Sequence, residues 1–464
     1  MFGKMCNLLN KAKILFIVVF LFLLTSSDSY AVNNKFGIHI LEPSDLDKAA
    51  SLVNSSGGDW GYVTVVIRDD DLDFAKWQNF MDQCREKHLV PLVRIATHQE
   101  KENWAKPFPA DSLKWAEFLN NLNWPVKDRY VIVFNEPNQA REWGGEIKPD
   151  EYAQVLGAFA DEFKKKNPDF KILNAGFDLS ASNTRSTMDV FRFWQKMEKE
   201  VPGIFNKLDA WASHSYPLQE KKFTISGRFS IRGYEWELAT LKKNFGLKHD
   251  LPVFITETGF KGSQSSEQIK LAFENFWLKD GRVIAVTPFV LNYPYPPFSE
   301  FSWLDKDGNP YSQYELIRNV PKISWWPKQE EKYILEEPIL PPFMLTESSF
   351  KGKIPVKNVG QSILGEREKF VLNPRGIDNG IEVTQAILSG LLKPEEEGFL
   401  DFEIKTSTYS GEFSLGWDKT SNFKVKVFAP SLVKKVELSI WEKIILRLKY
   451  YLRSSFNFAK RVFK

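Results

Sequence analysis

Cysteine is almost missing from this chain. Of its 464 residues only Cys6 and Cys84 are cysteine, and Cys6 falls in a segment that reads as a leader. A chain that sheds that leader keeps Cys84 alone, which excludes an internal disulfide framework. Histidine is scarce too: His39, His88, His98, His214 and His249 show no metal-ligand spacing, and no HExxH occurs. No Gly-rich phosphate turn of the dinucleotide or Walker type is present. Asp69-Asp70-Asp71 reads as a solvated loop. Asp305-Lys306-Asp307-Gly308 lacks the EF-hand continuation and reads as a turn. The longest apolar run, residues 14–24, has 11 residues, short of the roughly 20 a membrane span needs.

What is present describes an ordinary folded protein rich in aromatics, at 43% hydrophobic, 14% aromatic and 26% charged residues. Residues 1–31 carry the marks of an export signal: Lys4, Lys11 and Lys13, then the apolar run, then small residues at Ser29-Tyr30-Ala31. The net charge of +3 is unevenly spread. Three leader lysines stand against Asp28, and seven basic residues in 441–464 stand against Glu442, which leaves −5 for residues 32–440. An acidic body argues against a nucleic-acid partner. In the tail, Trp441, Ile444, Ile445, Leu448, Tyr451 and Leu452 repeat at helical spacing, with Lys443, Arg447, Lys449 and Arg453 mainly off that stripe. Such a helix suits peripheral contact with an anionic membrane surface, or docking on a neighbouring domain. The chain is expected to be exported (periplasmic, secreted or cell-surface) and monomeric.

From residue 35 to about 320, apolar strand-like runs alternate with amphipathic helical stretches. The runs are 36–41, 60–67, 89–96, 130–135, 171–177, 208–215, 252–257 and 283–291. The helices are 44–54, 73–87, 111–122, 150–166, 188–200, 234–245, 265–279 and 313–319, with Ser44 as a candidate N-cap. Eight such units over this length predict an α/β fold of (β/α)8 TIM-barrel type. On the second helix, Phe74, Trp77, Phe80, Met81 and Cys84 share one face, so Cys84 is expected to be a core thiol. Past Pro338, Pro341 and Pro342 the texture changes to short alternating runs at 353–361, 369–373, 398–406, 411–417 and 423–428, the pattern of a small all-β sandwich. The expected organisation is therefore a leader at 1–31, a barrel at 32–330, a sandwich at 331–438 and a basic amphipathic tail at 439–464.

Two glutamates mark the ends of strand-like runs, 121 positions apart: Glu136 just after the fourth and Glu257 as the last residue of the seventh. A carboxylate at the C-terminal end of a barrel strand points into the mouth rather than the core. A pair of them can break a glycosidic bond, one holding a proton for the departing oxygen and one staying ionised to attack carbon. Asn135-Glu136-Pro137 together with Glu257-Thr258-Gly259, on the fourth and seventh of eight units, resembles the (β/α)8-barrel clan A of retaining glycoside hydrolases, families 5 and 39 most nearly. The resemblance covers about 35–320. It implies Glu136 as acid/base, Glu257 as nucleophile, and Asn135 as the partner of the sugar 2-hydroxyl. It also implies His214 and Tyr216 beside the nucleophile, an arginine holding that nucleophile ionised (Arg68 in preference to Arg94), and Trp303 as a platform under the sugar. Trp143, Tyr293, Tyr295 and His39 are further candidates for the sugar site. Loosely, residues 358–362 and 409–417 resemble immunoglobulin-like accessory domains. The expected partner is a β-linked poly- or oligosaccharide, cut internally, with no metal or organic cofactor required. Two alternatives stay open: a transglycosylase, in which a sugar intercepts the intermediate, and a catalytically weak glycan-binding protein of the cell surface.

Overall fold

The computed structural model describes residues 33–218, 223–261 and 265–430. The leader at 1–31 and the tail at 439–464 lie outside the described residues. The chain divides into two compact units between Glu330 and Glu331.

The first unit is mixed α/β. Its strands are β1 (Gly37–His39), β2 (Gly61–Arg68), β3 (Leu89–Ala96), β4 (Arg129–Val133), β5 (Phe170–Leu173), β6 (Trp211–His214), β7 (Val253–Glu257) and β8 (Val283–Val286). Each is followed by a helix: α1 (Leu46–Val53), α2 (Phe74–Glu86), α3 (Asp111–Asn121), α4 (Pro149–Lys166), α5 (Val190–Glu200), α6 (Gly233–Asn244), α7 (Ser265–Ala272) and α8 (Ser312–Arg318). β1 to β5 form one parallel sheet in sequence order, and β6 to β8 form a second. Single parallel bridges, Leu173 to Ala210 and Phe36 to Val286, join the free edges, so the pairing runs round a ring of eight.

Burial explains why these runs are strands. β7 is buried at every position and β2 at all but Val66 and Arg68, as expected for parallel strands covered on both faces. Alternate residues part company. Tyr62, Leu92, Ile132, Phe254 and Ala285 cluster together, whereas Val63, Val93, Val131 and Val253 join a larger core with the helices. Strands end earlier than the apolar runs suggest. The eighth run extends to 291 but its regular strand stops at Val286; beyond it the Thr287 and Phe289 amides still donate to the Ile255 and Thr258 carbonyls, and Leu291 to that of His39. Ser44 does not cap α1; it sits inside a 3-10 turn, Pro43–Asp45. Asp73 does cap α2, accepting from the Lys76 amide at 3.0 Å. On α2, Trp77, Phe80, Met81 and Cys84 are buried, but Phe74, at the first turn, is half exposed. Burial pushes the Cys84 thiol far above its ordinary value, which makes it inert.

The second unit is all-β, with a six-stranded and a four-stranded sheet. Its longest pair, Ser349–Asn358 with Glu397–Thr406, is antiparallel. Ile354, Val356, Leu400, Phe402 and Ile404 from the larger sheet share a core with Leu415, Trp417, Val425 and Val427 from the smaller. Gly352 is required there, since a Cβ would lie 2.2 Å from the Phe402 ring. Among the described residues no helix is long and apolar enough to cross a membrane.

Candidate active site

Both glutamates stand where strands of the ring end. β4 stops at Val133, and the chain then turns through Phe134 (φ 71°) and Glu136 (φ 31°), conformations that cost about 1–3 kcal/mol each for a non-glycine residue. Local bonds hold the turn. The Glu136 amide donates to the Gly176 carbonyl at 3.0 Å and the Gln139 amide to the Glu136 carbonyl at 2.8 Å. Glu257 is the last residue of β7. Register with β6 slips between Ser213 and His214, so that His214 faces Glu257 rather than Thr256. An extra residue of this kind re-aims the side chains beyond it. His214 thereby reaches both acids: its Nδ1 lies 3.0 Å from Glu136 Oε1 and 3.8 Å from Glu257 Oε2. One carboxylate oxygen of Glu136 and one of Glu257 fall within 4.8 Å of each other.

The two carboxyls have different surroundings. Arg94 Nη1 donates to Glu257 Oε1 at 2.5 Å and to Asn135 Oδ1 at 2.8 Å, and the Tyr216 hydroxyl donates to Glu257 Oε2 at 3.3 Å. Burial works against ionising Glu257, but the charges of His214 and Arg94 prevail and hold it well below the usual carboxylate range. Burial pushes Glu136 the other way, upward, helped by the negative charges of Glu257 and Asp178 and opposed by His214. His214 itself is raised: the charges of Glu257 and Glu136 overcome the burial that would lower it. Two acids whose environments drive them apart are suited to separate roles, donor and nucleophile. A third carboxyl stands close by. Burial, with the Glu136 charge, pushes Glu142 up to about 7, and its Oε2 accepts from Asn135 Nδ2 at 3.3 Å.

A cavity of about 1290 Å³ opens over these groups. Of the residues put forward from the sequence, Arg68, Asn135, Glu136, His214, Tyr216, Glu257 and Tyr293 line it. Five of the residues put forward from the sequence are placed otherwise than expected. The arginine beside Glu257 is Arg94, not Arg68. Val66 pairs with Arg94 and Arg68 with Ala96, so Arg68 stands two residues further along the strands, at the rim. There it forks onto Asp70 at 2.8 and 3.0 Å. Arg94 shares its strand face with the interior residue Leu92, one step further up, and that parity aims it into the mouth. Trp303 is 4% exposed and packs in the core, its amide pinned to the carbonyls of Val290 and Leu291. Phe289, Phe298 and Phe301 present the aromatic wall from that loop instead. Trp143 is fully buried against Phe134 and Tyr152, with its Nε1 on Glu151. The tryptophans that do reach the cavity are Trp77 and Trp104. His39 supports from behind: fully buried, edge-on to Phe289 and 4.0 Å from Glu257 Oε1, it is driven neutral by burial, down to about 3. Tyr295 is exposed outside the cavity lining.

Sequence reasoning missed Gln139, Glu142, Asp178 and Trp104. Gln139 alone carried a readable signal, its place three residues after Glu136. The others come from loops whose path no periodicity encodes.

Glu136, His214 and Glu257 each offer one ligand atom within 4.8 Å of the others, a geometry that a divalent ion could use. Arg94 opposes this, since its guanidinium already occupies Glu257 Oε1 and places a fixed positive charge there. The arrangement is better suited to moving a proton than to holding a cation.

Gly176 gives His214 its room. A Cβ there would lie 2.1 Å from His214 Cδ2 and 2.2 Å from Nε2. Gly176→Ala is expected to push the imidazole off Glu136 and to cost about 1–3 kcal/mol of stability in urea unfolding. Unchanged stability would show that His214 moves aside freely.

No family model matches the chain, and no curated protein sequence matches it. Solved structures do resemble it. A monomeric beta-xylosidase from Caulobacter crescentus is 12% identical, covered over 98% of its length by 82% of this chain, with a TM-score of 0.46. A GH128 (subgroup II) endo-beta-1,3-glucanase from Sorangium cellulosum is 14% identical, with 62% of this chain and 98% of that one covered and a TM-score of 0.42. The GH53 catalytic domain of Ignisphaera aggregans is 12% identical, with coverages of 62% and 97% and a TM-score of 0.44.

Proposed function

We propose that this chain is an exported β-glycoside hydrolase on a closed (β/α)8 barrel, acting within β-linked poly- or oligosaccharides by double displacement with retained configuration. The observation that carries the reading is the opposed pair at the ring's mouth, Glu136 pushed up and Glu257 pushed down, with oxygens within 4.8 Å. Retaining enzymes hold their carboxyls about 5–5.5 Å apart, inverting ones about 6.5–9.5 Å. In the first half-reaction Glu257 forms a bond to the anomeric carbon. The bond from that carbon to the departing oxygen breaks, its electron pair stays on the oxygen, and Glu136 supplies that oxygen's proton. In the second, water attacks the anomeric carbon, gives a proton to Glu136, and displaces Glu257 as carboxylate. Asn135 is positioned to meet the sugar 2-hydroxyl, and the aromatic wall can stack on the apolar faces of sugar rings. The all-β unit would serve as an immunoglobulin-like accessory domain, and the basic tail as a contact with anionic membrane.

The test is hydrolysis of a panel of β-glycans and aryl β-glycosides, with the first-formed anomer read by proton NMR. The β-anomer appearing first supports the proposal. The α-anomer first would overturn retention. Products longer than the substrate would identify a transglycosylase, and glycan binding without turnover a binding protein.

A further inference from the structure

Glu136 is held on both oxygens. Oε1 meets His214 Nδ1, and Oε2 accepts from Gln139 Nε2 at 2.6 Å. The same Gln139 Nε2 donates to Asp178 Oδ2 at 3.2 Å. A carboxamide wedged between two acceptors must turn its NH2 to both, because the flipped amide would set its carbonyl oxygen against them. Asp178 is itself fixed. Its Oδ1 accepts from the backbone amide of Ser180 at 2.8 Å and from the Ser180 hydroxyl at 2.6 Å. Asn138, fully buried, donates to the carbonyls of Asp178 and Met188 and accepts from the Asp178 amide. The turn bearing Glu136 and the loop bearing Asp178 are therefore one hydrogen-bonded body.

We infer that Gln139, oriented by Asp178, is a positioning residue for Glu136: its N–H holds Oε2 while His214 Nδ1 faces Oε1, and the two contacts fix the plane of the carboxyl that carries the transferable proton. This rests on the glycosidase reading and deepens it, since it names what fixes the donor carboxyl. Departure of the leaving group leaves Glu136 as a carboxylate, which the Gln139 N–H then stabilises until water returns the proton. The groups facing Glu136 are His214 from β6, Glu257 from β7, Asp178 from the loop after β5 and Glu142 from the turn after β4. Among these and Gln139, only the glutamine holds its contact to Glu136 without a charge of its own.

The experiment compares kcat/KM of wild type, Gln139→Leu and Asp178→Asn across aryl β-glycosides of graded leaving ability. Dinitrophenolate departs without protonation, so both variants should stay within about threefold of wild type on that substrate, because only the proton-transfer step is touched. On poor leaving groups both should fall by about 10- to 100-fold, the scale of a misplaced catalytic group. Asp178→Asn should show this with Gln139 still present, since it frees the amide to flip. A second readout needs no substrate. Loss of the N–H donor destabilises the Glu136 carboxylate, so its 13C-NMR titration should move to higher pH in Gln139→Leu. Equal losses on all substrates with no shift in titration would reduce Gln139 to a structural role and overturn the inference. A wild type that cuts no glycoside, with the titration still moving in Gln139→Leu, would sink the glycosidase reading while leaving the Gln139–Glu136 link standing.

Discussion

Glu257→Ala should lower kcat on a cleaved β-glycan by about 10⁴-fold or more, the scale seen when a nucleophile is deleted from a constellation that acts as a unit. On the proposed mechanism the covalent half of the reaction has no substitute here. The other carboxyl near the anomeric carbon, Glu136, is driven toward its protonated form, and Glu142 is pushed to about 7 by burial. Binding should survive, because the aromatic wall and Asn135 are untouched. Isothermal titration with the cleaved oligosaccharide should give affinity within a few-fold of wild type. The variant also leaves Arg94 without its carboxylate, so thermal unfolding must be recorded beside activity. A folded Glu257→Ala protein retaining more than about a hundredth of wild-type turnover would remove Glu257 from the nucleophile's role.

Arg94→Met carries the second largest expected effect. Its guanidinium touches Glu257 Oε1 and Asn135 Oδ1 together, so the change removes both a fixed charge and the tie between Glu257 and Asn135. Loss of such a preorganised donor costs about 10²–10³ in kcat. The direction of the pH effect follows from charge. As the proposed nucleophile, Glu257 works only when ionised; Arg94 is one of the cations that hold its carboxyl low, so its removal raises that carboxyl, and the acid limb of the kcat/KM profile moves to higher pH. Arg68→Met should change activity by less than about threefold, because that side chain is exposed and spends its fork on Asp70. The reverse ranking, or an acid limb that stays in place in Arg94→Met, would show that the nucleophile is tuned by something else.

The comparison of these two arginines shows where sequence reading stops. Both sit on apolar strands, at or near the C-terminal end, and both have the parity of the interior face. What separates them is register: β2 and β3 pair so that Arg68 stands beyond Arg94, and no local pattern in either strand encodes that offset. Trp303 and Phe301 present the same problem two residues apart. A loop that has left the ladder has no period, so which aromatic enters the cavity depends on where its amides are pinned.

What the sequence by itself determined is the part governed by local periodicity. Eight apolar runs alternating with amphipathic helices call for a layered α/β unit, and the two acids that end the fourth and seventh runs follow from it. So does the switch to short alternating strands after residue 331, because strand and helix periods differ and each must bury its apolar face. Tertiary structure alone decided the rest. The slip between Ser213 and His214 sets the imidazole between two carboxyls, Gly176 leaves the space it needs, and the loop at Asp178 comes across to take Gln139. These are contacts between segments about 40 or more positions apart. Their geometry is fixed by how strands pair and where loops are tied, and the chain writes neither in any one stretch of residues.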